Sequence, residues 1–338
     1  MRRKLPAIIL VTLLLAPVLV FGKTREVTFT GKTMGTTYHI TVITDAGQDV
    51  ENLQEKIDQK LEDINQSMST YRPDSEISRF NSFKEAEKKF MVSESFMEVL
   101  RVSRTVYQLT DGAWDGTVNP LVKLWGFMSE KLPASIPDKK EIDAVFPHVG
   151  FDKIVISENN HILKKDPEIT LDLGSIAKGH GVDKVSGLLL NEGFKNFIVE
   201  IGGEIYASGL NLENKPWRVG INTPDKTASA DMVYKVLTLT DLAMATSGDY
   251  RSLIEISGRR YSHIINPKTG YPVQTGVVSA TVFAKTCTFA DGLATAVMVM
   301  GVEKSLDLIN RLSDVEGLVI VRHPDGTLTD HYSNGLIP

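Results

Sequence analysis

Asp172, Gly174, Ser175, Lys178, Gly179 and Gly181 crowd into the stretch LDLGSIAKGHGVDKV, residues 171–185. Glycine inside a helix costs about 1 kcal/mol relative to alanine, so its repeated use here needs a physical reason. One reason is a phosphate-bearing ligand. Asp172 reads as the end of a strand, Gly174 as the turn, and Ser175 as the start of a helix whose free N–H groups attract anions. Lys178, one turn in, can meet a phosphate as a point charge. The stretch is not a Walker loop, because in GSIAKGHG His180 stands where that motif needs lysine. It carries no dinucleotide fingerprint either. The same residues also read as a tight strand-to-helix turn with glycines for close packing, and spacing alone leaves both readings open.

Three further groups invite chemistry. In CTFADGLATAVMVMG, Asp291 and Thr295 are four residues apart, on one face of an otherwise apolar helix. A carboxylate among so many apolar residues needs a partner, and a hard cation such as Mg2+ takes carboxylate, hydroxyl and carbonyl oxygens. The alternative is that Asp291 simply complements the dipole of its own helix. Thr246-Ser247-Gly248-Asp249 and Asn266-Pro267-Lys268-Thr269-Gly270-Tyr271-Pro272 read as turn-rich loops between strands. His263 is expected in a strand between Ser262 and Ile264, where it is structural or, near hydroxyls and a cation, handles a proton. Tyr71 in MSTYRPDSEISRFN and Trp114 in DGAWDGTVNPLVKLWGF read as exposed-loop aromatics able to stack on a planar ring, or else as core. Trp125 and Phe127 are expected in the core. The histidines and the lone cysteine show no zinc spacing, and Gly202-Gly203-Glu204 reads as a hairpin turn.

The elements that must position these residues follow from periodicity. Tyr38, Ile40 and Val42 alternate with His39, Thr41 and Ile43 as a half-buried strand. Leu53, Ile57, Leu61 and Ile64 mark an amphipathic helix over 49–66. A second helix spans 93–109, with Ser93 as N-cap, Phe96, Leu100, Val106 and Tyr107 inward, and Asp111-Gly112 ending it. A connection at 130–140 leads to short strands near 153–157, 161–164 and 169–172. The glycine-rich helix runs to about Asn191 and stops at Gly193. Strands then follow thickly from 196 to 284, with helices at 286–300 and 302–312 and a last hairpin. Hairpin-like spacing with segregated helices predicts an α+β fold, a single compact domain of largely antiparallel sheet with flanking helices.

Composition narrows the function classes. The chain has 338 residues, 42% hydrophobic and 23% charged, the balance of a folded soluble protein. Net charge is −5, and beyond the first 22 residues it is −8, which argues against a nucleic-acid binder. MRRK followed by LPAIILVTLLLAPVLVFG reads as an export signal cleaved near Gly22, or as an uncleaved anchor. No cysteine follows the apolar run to carry a lipid, so a periplasmic protein, soluble or held at the inner membrane by an uncleaved signal, is expected. The only cysteine, Cys287, lies in an apolar stretch and is expected as a buried free thiol.

Eight segments in order resemble the ApbE family of FAD:protein FMN transferases. They are MGTTYHITV, STYRPDSEISRFN, DGAWDGTVNPLVKLWGF, LDLGSIAKGHGVD, VEIGGEIYASG, TSGDYRS, YSHIINPKTGYP and ADGLATAVMVMG, from about residue 33 to 301. The resemblance implies a T-fold-related α+β domain over 23–338 that binds FAD and Mg2+. It implies transfer of FMN from FAD to a Thr or Ser hydroxyl of a flavoprotein, with release of AMP. Met34, Tyr71, Gly112, Ala113, Trp114, Asp172, Lys178, Ile264 and Ile265 would hold FAD. Asp291, Thr295 and the backbone carbonyl of Ser175 would hold the metal. His263, Lys178 and Asp291 would be catalytic, His263 taking the hydroxyl proton, and the glycines would let the chain turn close to the pyrophosphate. The expected acceptors are subunits of NADH:quinone reductase or Rnf-type electron-transport complexes. Many members are lipoproteins, which this chain does not match, and the Trp114 position is variable. An FAD-binding protein and a Mg2+-dependent FAD pyrophosphatase are the rival readings.

Overall fold

The computed structural model describes residues 24–45, 47–127, 135–225, 232–249, 253–256 and 259–336. The leader and residues 130–134 of the expected connection lie outside the described residues. In chain order, the hairpin β1 (Arg25–Thr33) and β2 (Thr36–Thr44) leads into helices α1 (Leu53–Met68) and α2 (Glu76–Ser82), strand β3 (Phe90–Met91) and helix α3 (Glu94–Leu109). Helices α4 (Asn119–Leu124) and α5 (Lys139–Val145) precede strands β4 (Ile154–Ile156) and β5 (His161–Lys164). Helix α6 (Ala177–Asn191) is followed by β6 (Asn196–Ile201), β7 (Glu204–Ser208), β8 (Trp217–Asn222), β9 (Val233–Leu239) and β10 (Leu242–Gly248). The ribbon β11 (Leu253–Ile256) and β12 (Arg259–Ser262) comes next. Strand β13 (Val277–Ala284), helices α7 (Cys287–Met300) and α8 (Val302–Ile309), and the hairpin β14 (Glu316–Arg322) and β15 (Leu328–Tyr332) complete the chain.

Among the described residues, an eight-stranded sheet runs β1-β2-β6-β7-β10-β13-β14-β15, every neighbour antiparallel. Alternation sends Ile40, Val42, Val199 and Ile201 to the face that packs against the helices. The opposite face offers Ile43, Ile205, Ala207 and Phe283 to Trp217, Val219 and Leu239 of the β8–β9 ribbon. Central strand β13, VVSATVFA, is buried throughout, as a strand covered on both faces must be. The α+β class is as the pattern predicts.

Leu53, Ile57, Leu61 and Ile64 are all buried, although their helix begins at Leu53 rather than 49. Ser93 caps α3 by accepting from the Phe96 N–H, and Asp111 and Gly112 end it at positive φ. Cys287 is a fully buried free thiol. Trp125 is core, donating to the Gly270 carbonyl at 2.8 Å, and Phe127 packs half-buried beside it.

Four local expectations are corrected. Residues 169–172 form no strand: side-chain and loop partners take the backbone groups that a ladder would have used. Strand β12 ends at Ser262, so His263 sits at a bend, because the chain turns there toward Asn266–Gly270. Thr246–Gly248 are not loop but the end of β10, paired to β13. Helix α8 stops at Ile309, short of 312.

Candidate active site

The turn 174–176 is pinned from below by Leu173 and Ile176, both fully buried. Helix α6 therefore starts at Ala177, two residues later than Ser175 suggests, and Ile176 at its N-cap offers no side-chain bond. The cap comes from another helix. Asp291 Oδ2 on α7 accepts the Gly179 N–H at 2.9 Å, so this carboxylate complements the dipole of α6 rather than that of its own helix. Gly179 makes the approach possible: a Cβ there would lie 2.3 Å from the Cys287 carbonyl oxygen and 2.8 Å from Asp291 Cβ. A Cβ at Gly181 would meet Met34 Cε at 2.9 Å. Both glycines serve close packing, the alternative that their spacing left open.

Lys178 reaches across to β7, where its Nζ lies 2.6 Å from Glu204 Oε2. Its stem passes the β6–β7 turn, where a Cβ on Gly202 would sit 3.3 Å from Lys178 Cδ. Burial disfavours the ammonium, but Asp291 and Glu204 outweigh that cost and raise its pKa. Burial pushes Glu204 up to about 8 against the pull of Lys178, and it also raises Asp291. Two buried carboxylates thus face one ammonium: burial drives both carboxyls toward their neutral forms, and the charge of Asp291 adds to the rise at Glu204.

Oxygen donors gather beside Asp291. Thr295 Oγ1 lies 3.0 Å from Ser247 Oγ, and Thr246 Oγ1 lies 2.9 Å from Thr281 Oγ1. Ser175 Oγ accepts from Trp114 Nε1 at 3.0 Å. Among the described residues, no three His, Cys, Asp or Glu side chains gather as a metal cluster. A cation here would rest on one carboxylate with hydroxyl and carbonyl oxygens, and with the surplus charge that set fits a hard ion such as Mg2+.

The cleft has two parts that share Asp172, Gly174 and Lys178. One, about 970 Å³, is lined by Met34, Tyr71, Arg72 and Asn65. The other, about 390 Å³, is lined by Ala113, Trp114, Ser175, Glu204, Ser247, His263, Ile264, Ile265, Asp291 and Thr295. The sequence-predicted residues thus converge, with one exception: Gly112 lines neither part and borders a separate hollow with Tyr107 and Asp111. Tyr71 is 87% exposed, as expected of a stacking aromatic. Trp114 is 1% exposed, packed edge-on to Phe151 at 5.7 Å, so it is wall and not an exposed-loop ring. Met34 adopts φ 48° in the tight β1–β2 turn with Gly35, which directs it into the first part. His263 is half-buried, its ring edge-on to Phe127 at 6.5 Å. Glu204 was not legible as a site residue because Gly202-Gly203 accounts for its turn, yet a carboxylate opening the buried strand EIYAS was a signal. Ser247 was singled out with TSGD, but its contact with Thr295 was not legible there, because the pairing of β10 with β13 lies outside local pattern.

An antiparallel α+β scaffold with this cleft is that of the flavin transferases. The structure matches the flavin transferase ApbE from Vibrio cholerae with a TM-score of 0.82, at 43% identity over 92% of this chain and 98% of that one. It matches the apo form of flavinyl transferase ApbE from Pseudomonas stutzeri with a TM-score of 0.82, at 32% identity over 92% and 95%. A relative from Vibrio cholerae serotype O1 named FAD:protein FMN transferase is 45% identical over 89% of each chain. One of the same name from Haemophilus influenzae is 39% identical over 97% of this chain and 96% of its own. The ApbE family model matches residues 34–319, and the chain belongs to that family.

Proposed function

We infer that the chain is an FAD:protein FMN transferase, moving FMN from FAD onto a Ser or Thr hydroxyl of an acceptor protein and releasing AMP. Family membership supports the reaction, and the observation that carries its location is that Asp291 and Thr295 line the smaller part of the cleft together with Lys178, which both parts share. FAD would lie along both parts, with its pyrophosphate at the shared Asp172–Lys178 segment. The acceptor oxygen attacks the phosphorus nearer riboflavin, the P–O bond to the AMP phosphate breaks, and AMP leaves with the electron pair. His263, at the edge of the smaller part, takes the hydroxyl proton. Lys178 offsets negative charge on the pyrophosphate, held in place by Glu204. Asp291, Thr295 and the Ser175 carbonyl would hold Mg2+, which when bound withdraws charge from phosphate oxygens.

The acceptors we propose are subunits of NADH:quinone reductase or Rnf-type complexes, and the basic-then-apolar leader supports export to the periplasm. The test is incubation with FAD, Mg2+ and a candidate acceptor domain, followed by a denaturing gel read for flavin fluorescence and by intact mass. A fluorescent acceptor band supports transfer. Free FMN and AMP without a band would replace it with pyrophosphatase activity, and bound, unchanged FAD would replace it with storage.

A further inference from the structure

Residues 165–176 carry Asp172, Gly174 and Ser175 into the cleft, yet they belong to no strand or helix. Ile169, Leu171 and Leu173 anchor the segment by fully buried side chains. Side-chain anchors alone leave the intervening peptide groups free to rotate. Three sets of contacts remove that freedom. Lys164 donates to the Ile169 carbonyl at 3.0 Å, and the Asp172 N–H donates to the Gly116 carbonyl at 2.7 Å. Between them, the Asn81 amide takes both backbone groups of Leu171: Nδ2 donates to the Leu171 carbonyl at 2.8 Å, and Oδ1 accepts the Leu171 N–H at 2.7 Å. A side-chain amide thereby does what a neighbouring strand would do at a single residue, immediately before Asp172.

Asn81 lies near the end of α2, and the other end of that helix is tied to the opposite wall. Ser75 caps α2 through the Ser78 N–H at 3.1 Å and donates to the Ser69 carbonyl at 2.7 Å, closing the loop that presents Tyr71 and Arg72. Glu76, buried in the first turn, accepts from the hydroxyls of Ser67 and Ser93 at 2.8 Å and 2.7 Å, bracing α2 against α1 and α3. Helix α2 is thus a short strut between the Tyr71 wall and the Asp172–Lys178 wall, and Asn81 is its joint to the second.

We propose that Asn81 is a positioning residue for flavin transfer, holding the Asp172–Ser175 turn at a fixed separation from the Tyr71 loop so that one FAD engages both. It acts through the Leu171 peptide and does not itself line the cleft. The proposal rests on the transferase reading for what turnover means, but not for what FAD binding means.

The test uses the full chain and the variants Asn81→Ala and Asn81→Asp. FAD affinity is measured by calorimetry without acceptor, kcat and KM by flavin transfer, and folding by thermal midpoint. For Asn81→Ala, at least about tenfold weaker FAD binding and about tenfold lower kcat are expected at temperatures where the variant is folded. In Asn81→Asp a carboxylate would face the Leu171 carbonyl, whereas the protonated acid can donate to it. The activity of this variant relative to wild type should therefore rise as pH falls from about 8 to about 5.5. A merely structural residue would lower the midpoint without that recovery. Binding and kcat within about twofold of wild type, or losses that follow only the folded fraction with a flat activity ratio, overturn the proposal. Should the alanine variant not fold, the pH response of Asn81→Asp decides alone, read by FAD affinity. If wild type binds FAD but modifies no acceptor, the transferase reading fails, while the binding comparison still judges Asn81.

Discussion

Asp291 serves two purposes that a substitution can separate. Its Oδ2 caps α6 through Gly179, and its charge adds to that of Glu204 against a single Lys178. Asp291→Asn keeps an acceptor for Gly179 and removes the surplus charge. Without a cation the variant should be as stable as wild type or about 1 kcal/mol more so, while transfer falls about a hundredfold. Mg2+ should raise the thermal midpoint of wild type and leave that of the variant unmoved, since only a native-state ligand stabilises by mass action. Equal stabilisation of both would place the cation elsewhere. His180 gives a second residue-scale test. Burial, helped by Lys184, pushes its imidazole from the ordinary 6.5 down to about 3, with Ser95 Oγ 2.9 Å from Nε2. The folded chain keeps this ring neutral while the unfolded chain protonates it, so stability is lost as pH falls from 6.5 toward about 3. Urea midpoints at pH 7 and pH 5 should show wild type losing about 2 kcal/mol more than His180→Asn. Equal losses would assign that pH dependence to other groups. Lys178 and Asp291 were legible because their spacing defied ordinary helix economy. Glu204 was not, since a glycine pair already explained its neighbourhood, and Trp114 stayed open between loop and core because one sequence cannot tell an exposed aromatic from a buried one.

Helices were more legible than the segments between them. Amphipathic spacing in α1 and α3 reports burial on one side, and Ser93 marks a start by its own chemistry. The segment 169–172 looks like a strand because Ile169 and Leu171 alternate with polar neighbours, but alternation reports only burial. Pairing needs a partner, and here Asn81, ninety residues earlier, supplies it. The same limit hid the short helices α2, α4 and α5, which are too brief for a periodic signal. The α6–α7 contact, in turn, depends on a missing side chain. Gly179→Ala would drive a methyl group into the Cys287 carbonyl and Asp291 Cβ, so the helices must part. A loss of about 1 to 3 kcal/mol is expected in urea unfolding, together with an activity loss larger than the unfolded fraction explains, because Asp291 moves with α7. Asp138→Ala, by contrast, removes the cap that accepts the Glu141 N–H at the start of α5, and should cost about 1 kcal/mol and leave the kcat of the folded enzyme unchanged. If the two variants lost activity in the same proportion to stability, the α6–α7 contact would have no special bearing on the site.

At the scale of the molecule, the sheet order joins what the chain separates. Strand β2 pairs with β6, and β7 pairs with β10, bringing Met34, Glu204 and Ser247 around one cleft. Local pattern could announce an antiparallel α+β sheet but not these partners, because long-range pairing is decided by competition among many similar strands. The cleft that results is divided. Its parts, about 970 Å³ and about 390 Å³, meet only at Asp172, Gly174 and Lys178. A dinucleotide with its pyrophosphate at that junction would contact both walls, whereas either mononucleotide alone would fill one part and the junction. Hydrogen exchange separates these cases. FAD should slow exchange in both the 69–72 loop and the 263–265 segment, and FMN or AMP alone should slow one of them. Each mononucleotide protecting both walls equally would mean that the cleft closes as a unit around any phosphate, and the two-part placement of FAD would have to be abandoned. Protection by FAD of a single wall would leave the other for the acceptor, whose hydroxyl must reach the phosphorus from whichever side the flavin does not occupy.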